Sequence, residues 1–201
     1  MDRYEKQWHQ RGKHRIAGVD EVGRGALAGP LVCALVILDP AQPIKGLKDS
    51  KQLSARKRET LALDIQSNAL VVDWCLVSAE RIDHINILEA TKEAMRTLLD
   101  RNTFDHALID AVNLKRSDTT AIIKGDTLSM SIAAASIVAK VQRDQMMREL
   151  EDVYPGYGFA QHKGYGTPEH LRALKTTGVI PGVHRFSFAP VARARQLQFF
   201  L

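Results

Sequence analysis

Short apolar segments rich in β-branched residues recur along this chain, and they constrain its fold more than any other feature. Each is bounded by glycine, proline or charged residues, which is typical of buried strands. They lie at residues 16–19, 31–38, 70–77, 107–109 and 121–123. Helical patterns lie between and after them. This order predicts an α/β fold with a central mixed β-sheet flanked by helices.

The helical segments differ in how much apolar surface they carry. Residues 55–66 follow Ser54, which is a good helix cap, and residues 85–99 have apolar side chains near helical spacing. Residues 129–150 are rich in alanine and apolar all round in their first half, as in a helix buried against a sheet. We expect this to be the central helix.

The composition changes after Tyr154, where glycine, proline, histidine and aromatic residues replace the helix formers. A short helix is predicted to begin near Pro168, with Thr167 as its cap. We therefore expect a larger domain at residues 1–153 and a small helical C-terminal appendage at residues 154–201.

Composition narrows the class of protein further. Of the 201 residues, 45% are hydrophobic and 25% are charged, which is the balance of a globular domain rather than a disordered chain. The formal net charge of +5 favours an anionic partner. Cys33 and Cys75 stand inside apolar runs, so we interpret them as core residues in a reducing compartment. No run reaches the roughly 20 apolar residues of a membrane span, so we expect a cytoplasmic protein without a membrane anchor.

Two adjacent acids, Asp20 and Glu21, stand where the first strand meets a glycine turn, Gly23-Arg24-Gly25. Side chains alternate along a strand, so both carboxylates would share one site only if the strand ended or bulged there. The alternative is a pair of solvated acids at a strand end. The turn favours a binding site, because its glycines allow close approach to a ligand and Arg24 supplies a charge-assisted donor.

Further acids follow later strands. Asp110 ends the strand ALID, and Asp126 follows in KGD just before the long helix. If these acids converge with Asp20 and Glu21, a hard divalent cation such as Mg²⁺ or Mn²⁺ would be needed to neutralise them. Two such ions suit hydrolysis of a phosphodiester. Asp126 has an alternative interpretation as a helix-start residue that complements the helix dipole.

Two other segments carry residues suited to nucleic acid. Ser50 and Lys51 form a polar turn before a basic helix, where both could contact a phosphate. In HKGYGTPEH, Tyr165 lies between glycines near His162 and could stack on a sugar or base. The alternatives are a solvated basic helix face and an ordinary surface loop.

These motifs together resemble the bacterial ribonuclease HII family. The matching segments run in the family's order from about residue 14 to residue 190: VDEVGRGALAGP, KDSKQLS, LID, KGD, SIAAASIVAKVQRD, HKGYGTPEH and PGVHRFSF. The resemblance implies a ribonuclease-H-like fold with a small C-terminal helical part. It also implies an endonuclease that hydrolyses the RNA strand of RNA–DNA hybrids. Such an enzyme also cuts 5′ to single ribonucleotides embedded in duplex DNA, in ribonucleotide excision repair and primer removal, leaving a 3′-hydroxyl and a 5′-phosphomonoester.

The resemblance assigns four acids to metal binding and catalysis, with two Mn²⁺ or Mg²⁺ ions during the reaction: Asp20, Glu21, Asp110 and Asp126. One departure is Ala111, which follows Asp110 where the family has glycine and makes that turn less permissive. Asp144 in KVQRD is the alternative fourth acid.

The resemblance also assigns the substrate contacts. Gly23, Arg24 and Gly25 match the turn that senses the ribose 2′-hydroxyl at an RNA–DNA junction, and Tyr165 matches its stacking partner. The DSK turn matches a phosphate contact, and His162 is a further candidate. The expected contacts of that turn are Ser50 and Lys51.

The chain ends in QLQFFL, beyond the matched region. Exposed terminal aromatics are buried either in the domain or in a partner. This segment is similar to the short peptides by which replication and repair enzymes dock on the bacterial sliding clamp, which would use Gln196, Leu197, Phe199 and Phe200. Packing within the molecule is the alternative.

Two rival functions remain open at this point. One is a duplex-binding module, such as a clamp adaptor, whose acids only stabilise turns. The other is a different two-metal nuclease on the same fold, which would need no 2′-hydroxyl reader. Since the sequence has no heptad pattern and the family members are monomers, we expect a monomer.

Overall fold

The structure is a computed structural model, and it describes residues 1–47 and 53–198. Its strands are β1 Ile16–Val22, β2 Leu31–Leu38, β3 Ala69–Val77, β4 His106–Asp110 and β5 Thr119–Ile122. Its helices are α1 Arg3–His9, α2 Ala55–Asn68, α3 Ala79–Ile85, α4 Ile87–Arg101, α5 Gly125–Leu128, α6 Met130–Val153, α7 Phe159–His162, α8 Pro168–Thr176 and α9 Ala189–Gln198.

The strands form one five-stranded sheet in the order β3-β2-β1-β4-β5. β1 pairs antiparallel with β2 on one side and parallel with β4 on the other, and β4 pairs parallel with β5. The sheet is therefore mixed, and the predicted α/β class is confirmed. Because β1 is central, its residues have strand neighbours on both sides.

The predicted helix starts at Ser54 and Thr167 are confirmed. Ser54 Oγ accepts a hydrogen bond from the main-chain N–H of Lys57 at 3.4 Å, and Thr167 Oγ1 accepts from that of His170 at 3.3 Å. Each hydroxyl satisfies an N–H that the helix itself leaves without a partner. Pro168 follows its cap as the first helical residue.

The helix expected at residues 85–99 is interrupted near its start. Asn86, where α3 ends, has a positive φ of +68° with an extended ψ of +163°. Its side-chain oxygen then accepts hydrogen bonds from the N–H groups of Leu88 and Glu89 in the first turn of α4. Asparagine suits this position because its short side chain is a good helix cap.

One compact unit comprises Met1–Val22, Lys92–Val141 and the described residues of Val32–Cys75. It contains most of the sheet and the first half of α6. The helix lies so close to β1 that a Cβ at Gly18 would come within 2.0 Å of the carbonyl carbon of Ser131. Glycine is therefore required where the central strand meets the helix.

A second compact unit comprises Gly23–Leu31, Leu76–Thr91 and the described residues from Gln142 onward. Residues 154–198 all fall in it. Its core includes Tyr157 and Phe159, whose rings stack with centroids 5.2 Å apart. The domain boundary expected between residues 153 and 154 stays a prediction.

The two cysteines differ in their surroundings. Cys33 is fully buried in β2, as predicted for a core residue. Cys75 is half-buried, and its burial raises the pKa of the thiol to about 11. Cys33 and Cys75 form no disulfide. Among the described residues, no helix is long and apolar enough to cross a membrane.

Candidate active site

The first two candidate acids lie inside β1, not beyond its end. The strand was expected to end near residue 19, but its pairing with β2 continues in regular register through Asp20 and Glu21 to Val22. Asp20 is buried, and one of its oxygens, Oδ1, accepts a hydrogen bond from the main-chain N–H of Glu21 at 2.7 Å. The strand itself therefore places Asp20 in the interior.

Asp110 is the last residue of β4, the parallel neighbour of β1. The two strands pair through Val19 and Ile109, so Asp20 and Asp110 are the next residues along each strand. Parallel strands in this register bring their following residues to the same end of the sheet. The predicted convergence of these two acids thus follows from strand pairing.

A helix start adjoins Asp110. The main-chain N–H of Gly125, the first residue of α5, donates to Asp110 Oδ1 at 2.7 Å, and a Cβ at Gly125 would lie 3.3 Å from that oxygen. The next residue is the buried Asp126, in the first turn of α5. Asp126 therefore directly follows Gly125, whose N–H donates to Asp110. It also occupies the helix-start position that complements the helix dipole.

The charges of these acids interact. Burial raises the pKa of Asp20 well above its usual range, and the carboxylates of Glu21 and Asp110 raise it further. Hydrogen bonds from Ser136 and from the main chain of Glu21 lower the pKa of Asp20 in part. Like charges held together in this way resist ionisation unless a cation joins them.

The donor set fits a hard divalent cation, because it consists of carboxylate oxygens without sulfur or imidazole. Within residues 1–47 and 53–198, no three His, Cys, Asp or Glu side chains lie so that together they could hold a metal ion. Asp20 and Asp110 each accept a hydrogen bond from a main-chain N–H group at one carboxylate oxygen. These residues supply the ligand chemistry of such a cation, and their arrangement as one ligand set stays a prediction.

Asp144, the alternative fourth acid, lies in the second half of α6 and is buried. It belongs to the second unit, where burial lowers the pKa of the adjacent Arg143 and the charge of Asp144 offsets this in part. The choice of Asp126 over Asp144 stays a prediction.

The glycine turn opens the second unit directly after β1. Gly23 is buried with φ +95°, and a Cβ there would come within 2.2 Å of Nε of Arg143. Gly25, in contrast, is exposed, and a Cβ there would meet no described atom within 4 Å. Arg24 is also exposed. The turn therefore presents residues 24 and 25 outward while Gly23 fills a tight internal space.

Tyr165 lies beside this turn in the fold, and its joint action with the turn on one substrate stays a prediction. Ala26 forms an antiparallel bridge with Tyr165, and the N–H of Leu27 donates to the carbonyl oxygen of Gly164 at 2.8 Å. The half-buried tyrosine ring lies over the guanidinium of Arg143, with 5.5 Å between Cζ and the ring centroid.

Three buried imidazoles support the Tyr165 segment. His162 donates from Nε2 to the carbonyl oxygen of Tyr157 and accepts at Nδ1 from the N–H of Gly164. Its two ring nitrogens thus bond within the protein, and its expected role in substrate binding stays a prediction. His162 also stacks on the ring of His170, with centroids 4.4 Å apart.

A hydrogen-bonded chain continues from His170 to His184. The N–H of Ile180 donates to Nδ1 of His184, and Nε2 of His184 donates to Nε2 of His170 at 3.2 Å. Nδ1 of His170 then donates to the carbonyl oxygen of Tyr165 at 3.0 Å. Burial is the main cause that lowers the pKa of both histidines to about 4. The chain therefore requires neutral rings, each with one donor and one acceptor.

Sequence reasoning missed two residues of this region, Arg143 and Arg185. Both are fully buried and bond to main-chain carbonyl oxygens around the turn. Their only signal in the sequence is their place in the segments AKVQRD and PGVHRFSF. That signal does not separate a buried arginine from a surface one.

Some predicted contacts lie outside the described residues: Ser50, Lys51, Phe199 and Phe200. Of the expected clamp-binding residues, Gln196 and Leu197 lie in α9, and both are exposed. Leu197 keeps 58% of its surface accessible, and Leu63 in α2 keeps 70%.

Comparison with known proteins agrees with the motifs. A family model described as Ribonuclease HII matches residues 17–191. The Ribonuclease HII of Listeria monocytogenes serotype 4a (strain HCC23) is 51% identical over 198 residues, which are 97% of this chain and 76% of the relative.

Two solved structures show the same fold. The ribonuclease H2 of Pyrococcus horikoshii OT3 superposes with a TM-score of 0.78 at 27% identity, covering 91% of this chain and 98% of that one. The RNase HII in a complex with PCNA from Archaeoglobus fulgidus gives a TM-score of 0.75 at 29% identity, covering 85% and 92%. This chain therefore belongs to the ribonuclease HII family of endonucleases, which hydrolyse RNA in RNA–DNA hybrids.

Proposed function

We propose that this chain cuts 5′ to single ribonucleotides embedded in duplex DNA, in addition to the RNA strand of hybrids. The products would carry a 3′-hydroxyl and a 5′-phosphate. The main supporting observation is the pairing of β1 with β4, which brings Asp20 and Asp110 to one end of the sheet. The raised pKa of Asp20 reflects its burial together with the repulsion of its acidic neighbours there.

The proposal assigns a divalent cation to these carboxylates. Asp20, Glu21, Asp110 and Asp126 would hold two Mg²⁺ or Mn²⁺ ions. When bound, such ions lower the pKa of an attacking water and stabilise the leaving 3′-oxygen. The carboxylates would keep the ions in place, and the main-chain N–H groups of Glu21 and Gly125 orient Asp20 and Asp110.

The glycine turn would select the substrate. A single ribonucleotide in DNA differs from its neighbours only by the 2′-hydroxyl, so a reader must contact that group closely. The open space at Gly25 and the adjacent Tyr165 ring suit such a contact, and the exposed Arg24 suits a phosphate. Ser50, Lys51 and His162 are proposed as additional contacts.

We also propose that the C-terminal segment docks on the sliding clamp. Its support is the exposure of Leu197 and the complex of the Archaeoglobus fulgidus RNase HII with PCNA. A pull-down with immobilised clamp would compare the full chain with a truncation that lacks residues 196–201. We expect the truncation to lose binding, and unchanged binding would reject this docking role. Monomeric state, cytoplasmic location and roles in DNA repair and replication are proposed from the same family membership.

The test of the main proposal is a cleavage assay on labelled duplex DNA that contains one ribonucleotide, with Mn²⁺, Mg²⁺ or EDTA present. We expect metal-dependent cleavage on the 5′ side of the ribonucleotide and none of the matching all-DNA duplex. Cleavage of both duplexes would instead indicate a nuclease without a 2′-hydroxyl requirement. Binding without cleavage under every metal condition would indicate a duplex-binding module.

A further inference from the structure

Two arginine side chains lie fully buried beneath the glycine turn, within the second unit. Arg143 and Arg185 both have 0% of their surface exposed. Burying a guanidinium is costly unless its donors are satisfied. The acceptors of these hydrogen bonds therefore show which part of the structure the buried arginines stabilise.

Arg185 connects the two ends of the segment at residues 23–30. Its Nη1 donates to the carbonyl oxygens of Gly23 at 2.7 Å and Arg24 at 3.1 Å. Its Nε and Nη2 both donate to the carbonyl oxygen of Gly29, at 3.1 and 2.9 Å. One planar guanidinium thus fixes the separation and orientation of these peptide groups.

Arg143 connects the same segment to the Tyr165 turn. It donates to the carbonyl oxygens of Ala28 at 3.0 Å, Pro30 at 2.8 Å and Lys163 at 2.8 Å. Its face lies against the Tyr165 ring. A side chain at position 23 would collide with it, which explains the glycine there.

All of these hydrogen bonds end on neutral carbonyl oxygens, and none within the described residues ends on a carboxylate. Burial, and then the charge of Arg143, lowers the pKa of Arg185 to about 9. The charge of Asp83 opposes this lowering of the Arg185 pKa. Burial also lowers the pKa of Arg143, and the charge of Asp144 opposes that shift. Neutral donors could hold such a loop with a smaller desolvation cost. The property that only arginine supplies is the fixed, planar arrangement of the guanidinium N–H groups.

We propose that Arg185 and Arg143 are positioning residues that set the shape of the glycine turn and its alignment with Tyr165. Through that alignment they determine how well the enzyme recognises a lone ribonucleotide. This inference rests on the proposed role of the turn. Neither side chain is exposed, so neither touches the substrate in this arrangement.

The test compares Arg185→Lys and Arg143→Lys with wild type and with Arg172→Lys, an exposed arginine on α8. Lysine keeps the charge and loses the planar fork. The readout is the ratio of kcat/KM on a duplex with one ribonucleotide to kcat/KM on a long RNA–DNA hybrid. Every nucleotide of the RNA strand in a long hybrid has a 2′-hydroxyl, so a displaced glycine turn can still contact one of them.

We expect the ratio to fall at least tenfold in both lysine variants and to stay unchanged in Arg172→Lys. Hydrogen–deuterium exchange should rise in the peptides that cover residues 23–30 and 163–166. The central strands should keep their protection in both variants. An unchanged ratio, or an equal loss on both substrates, would overturn the inference.

Two further outcomes have a defined meaning. If Arg185→Lys does not fold, the substrate ratio of Arg143→Lys tests the inference. If neither variant folds, the inference is overturned, because the arginines are then needed for the stability of the whole second unit. If wild type cannot cut the single-ribonucleotide duplex, the proposed function fails. The exchange measurement still shows in that case whether the arginines hold the turn.

Discussion

The carboxylate strands and the segment at residues 23–30 follow each other in sequence, but they are held by different interactions. In β1 and β4, main-chain pairing between strands places Asp20 and Asp110. In the segment after β1, side-chain guanidiniums of Arg143 and Arg185 bind the carbonyl oxygens. The first arrangement depends little on side-chain identity, and the second depends on it entirely. Charge should therefore matter most at the acids, and shape should matter most at the turn.

The largest expected effect tests the charge of the acids. Asp20→Asn should lower kcat/KM on any RNA-containing duplex by about a thousandfold or more, because the main chain keeps its place while a cation ligand is lost. Duplex binding should remain, because the proposed phosphate contacts Arg24 and Lys51 are unchanged in this variant. Asp110→Asn should behave in the same way. Gel-shift and cleavage assays measure the two properties.

A stability measurement accompanies this variant. The neutral amide introduced by Asp20→Asn would no longer be repelled by Glu21 and Asp110, so without metal this substitution should raise the Tm. Each kcal/mol of relief raises the Tm by about 2–4 °C in a chain of this size. The exposed acid Asp64 provides the control, and Asp64→Asn should leave both activity and Tm unchanged. Full activity of Asp20→Asn would remove the carboxylate mechanism.

The second expected effect tests the shape of the turn, with two glycines that are two residues apart. Gly23→Ala should destabilise the fold by about 2–4 kcal/mol, because of its positive φ and the approach of Arg143 to 2.2 Å. Gly25→Ala should change stability by less than about 0.5 kcal/mol, since its Cβ points into open space. Urea unfolding measures both.

A cleavage assay gives a second test of the turn, with Gly25→Ala. Gly25→Ala should lower cleavage at a single ribonucleotide although the protein is stable, because the methyl group would occupy the proposed contact site. Unimpaired cleavage by Gly25→Ala would count against the turn as the reader of the 2′-hydroxyl.

The third expected effect is on substrate choice. Arg24→Ala and Tyr165→Phe should each reduce the preference for a single ribonucleotide over a long hybrid by about tenfold, with little change in Tm. Each loses a polar contact worth about 1–2 kcal/mol. Competition assays with both substrates in one tube measure the preference. A uniform loss on every substrate would contradict a role in junction reading.

The last expected effect is a pH dependence of stability near Tyr165. His170 and His184 have a pKa of about 4 in the folded protein, below the usual 6.5. The unfolded chain therefore binds more protons between pH 6.5 and pH 4. Stability should fall as the pH falls through this window, by up to about 1.4 kcal/mol per pH unit for each histidine.

Unfolding at several pH values between 7 and 4.5 tests this dependence. His184→Gln should flatten the slope, because it removes one of the groups that gains a proton on unfolding. The exposed His84 on α3 supplies the comparison, and His84→Gln should keep the slope of wild type. An equal slope in wild type and His184→Gln would show that other groups cause the acid sensitivity.

Much of the architecture could be predicted because local patterns and tertiary structure agree. The strands of the mixed sheet and the caps at Ser54 and Thr167 follow from residue type alone. The break at Asn86 escaped prediction, because the apolar spacing of residues 85–99 continues across it. Periodicity reports which face is buried and does not report a single residue with positive φ.

The candidate site was predictable to different degrees in its two parts. The acids stand beside apolar strands, so the sequence shows both their chemistry and their place. The neighbourhood of Tyr165 and the turn was expected only through the family resemblance, since 139 residues separate Ala26 from Tyr165. No local pattern predicts a bridge over that distance.

The sequence by itself identified the residue types that suit the proposed chemistry: acids beside apolar strands, an arginine between glycines, and a tyrosine in a glycine-rich loop. Only the tertiary structure decided how they are held. Strand register places Asp110 beside β1, and buried guanidiniums order a segment that has no secondary structure of its own. The physical reason is that an arginine's role depends on the acceptors around it, and those acceptors come from distant parts of the chain.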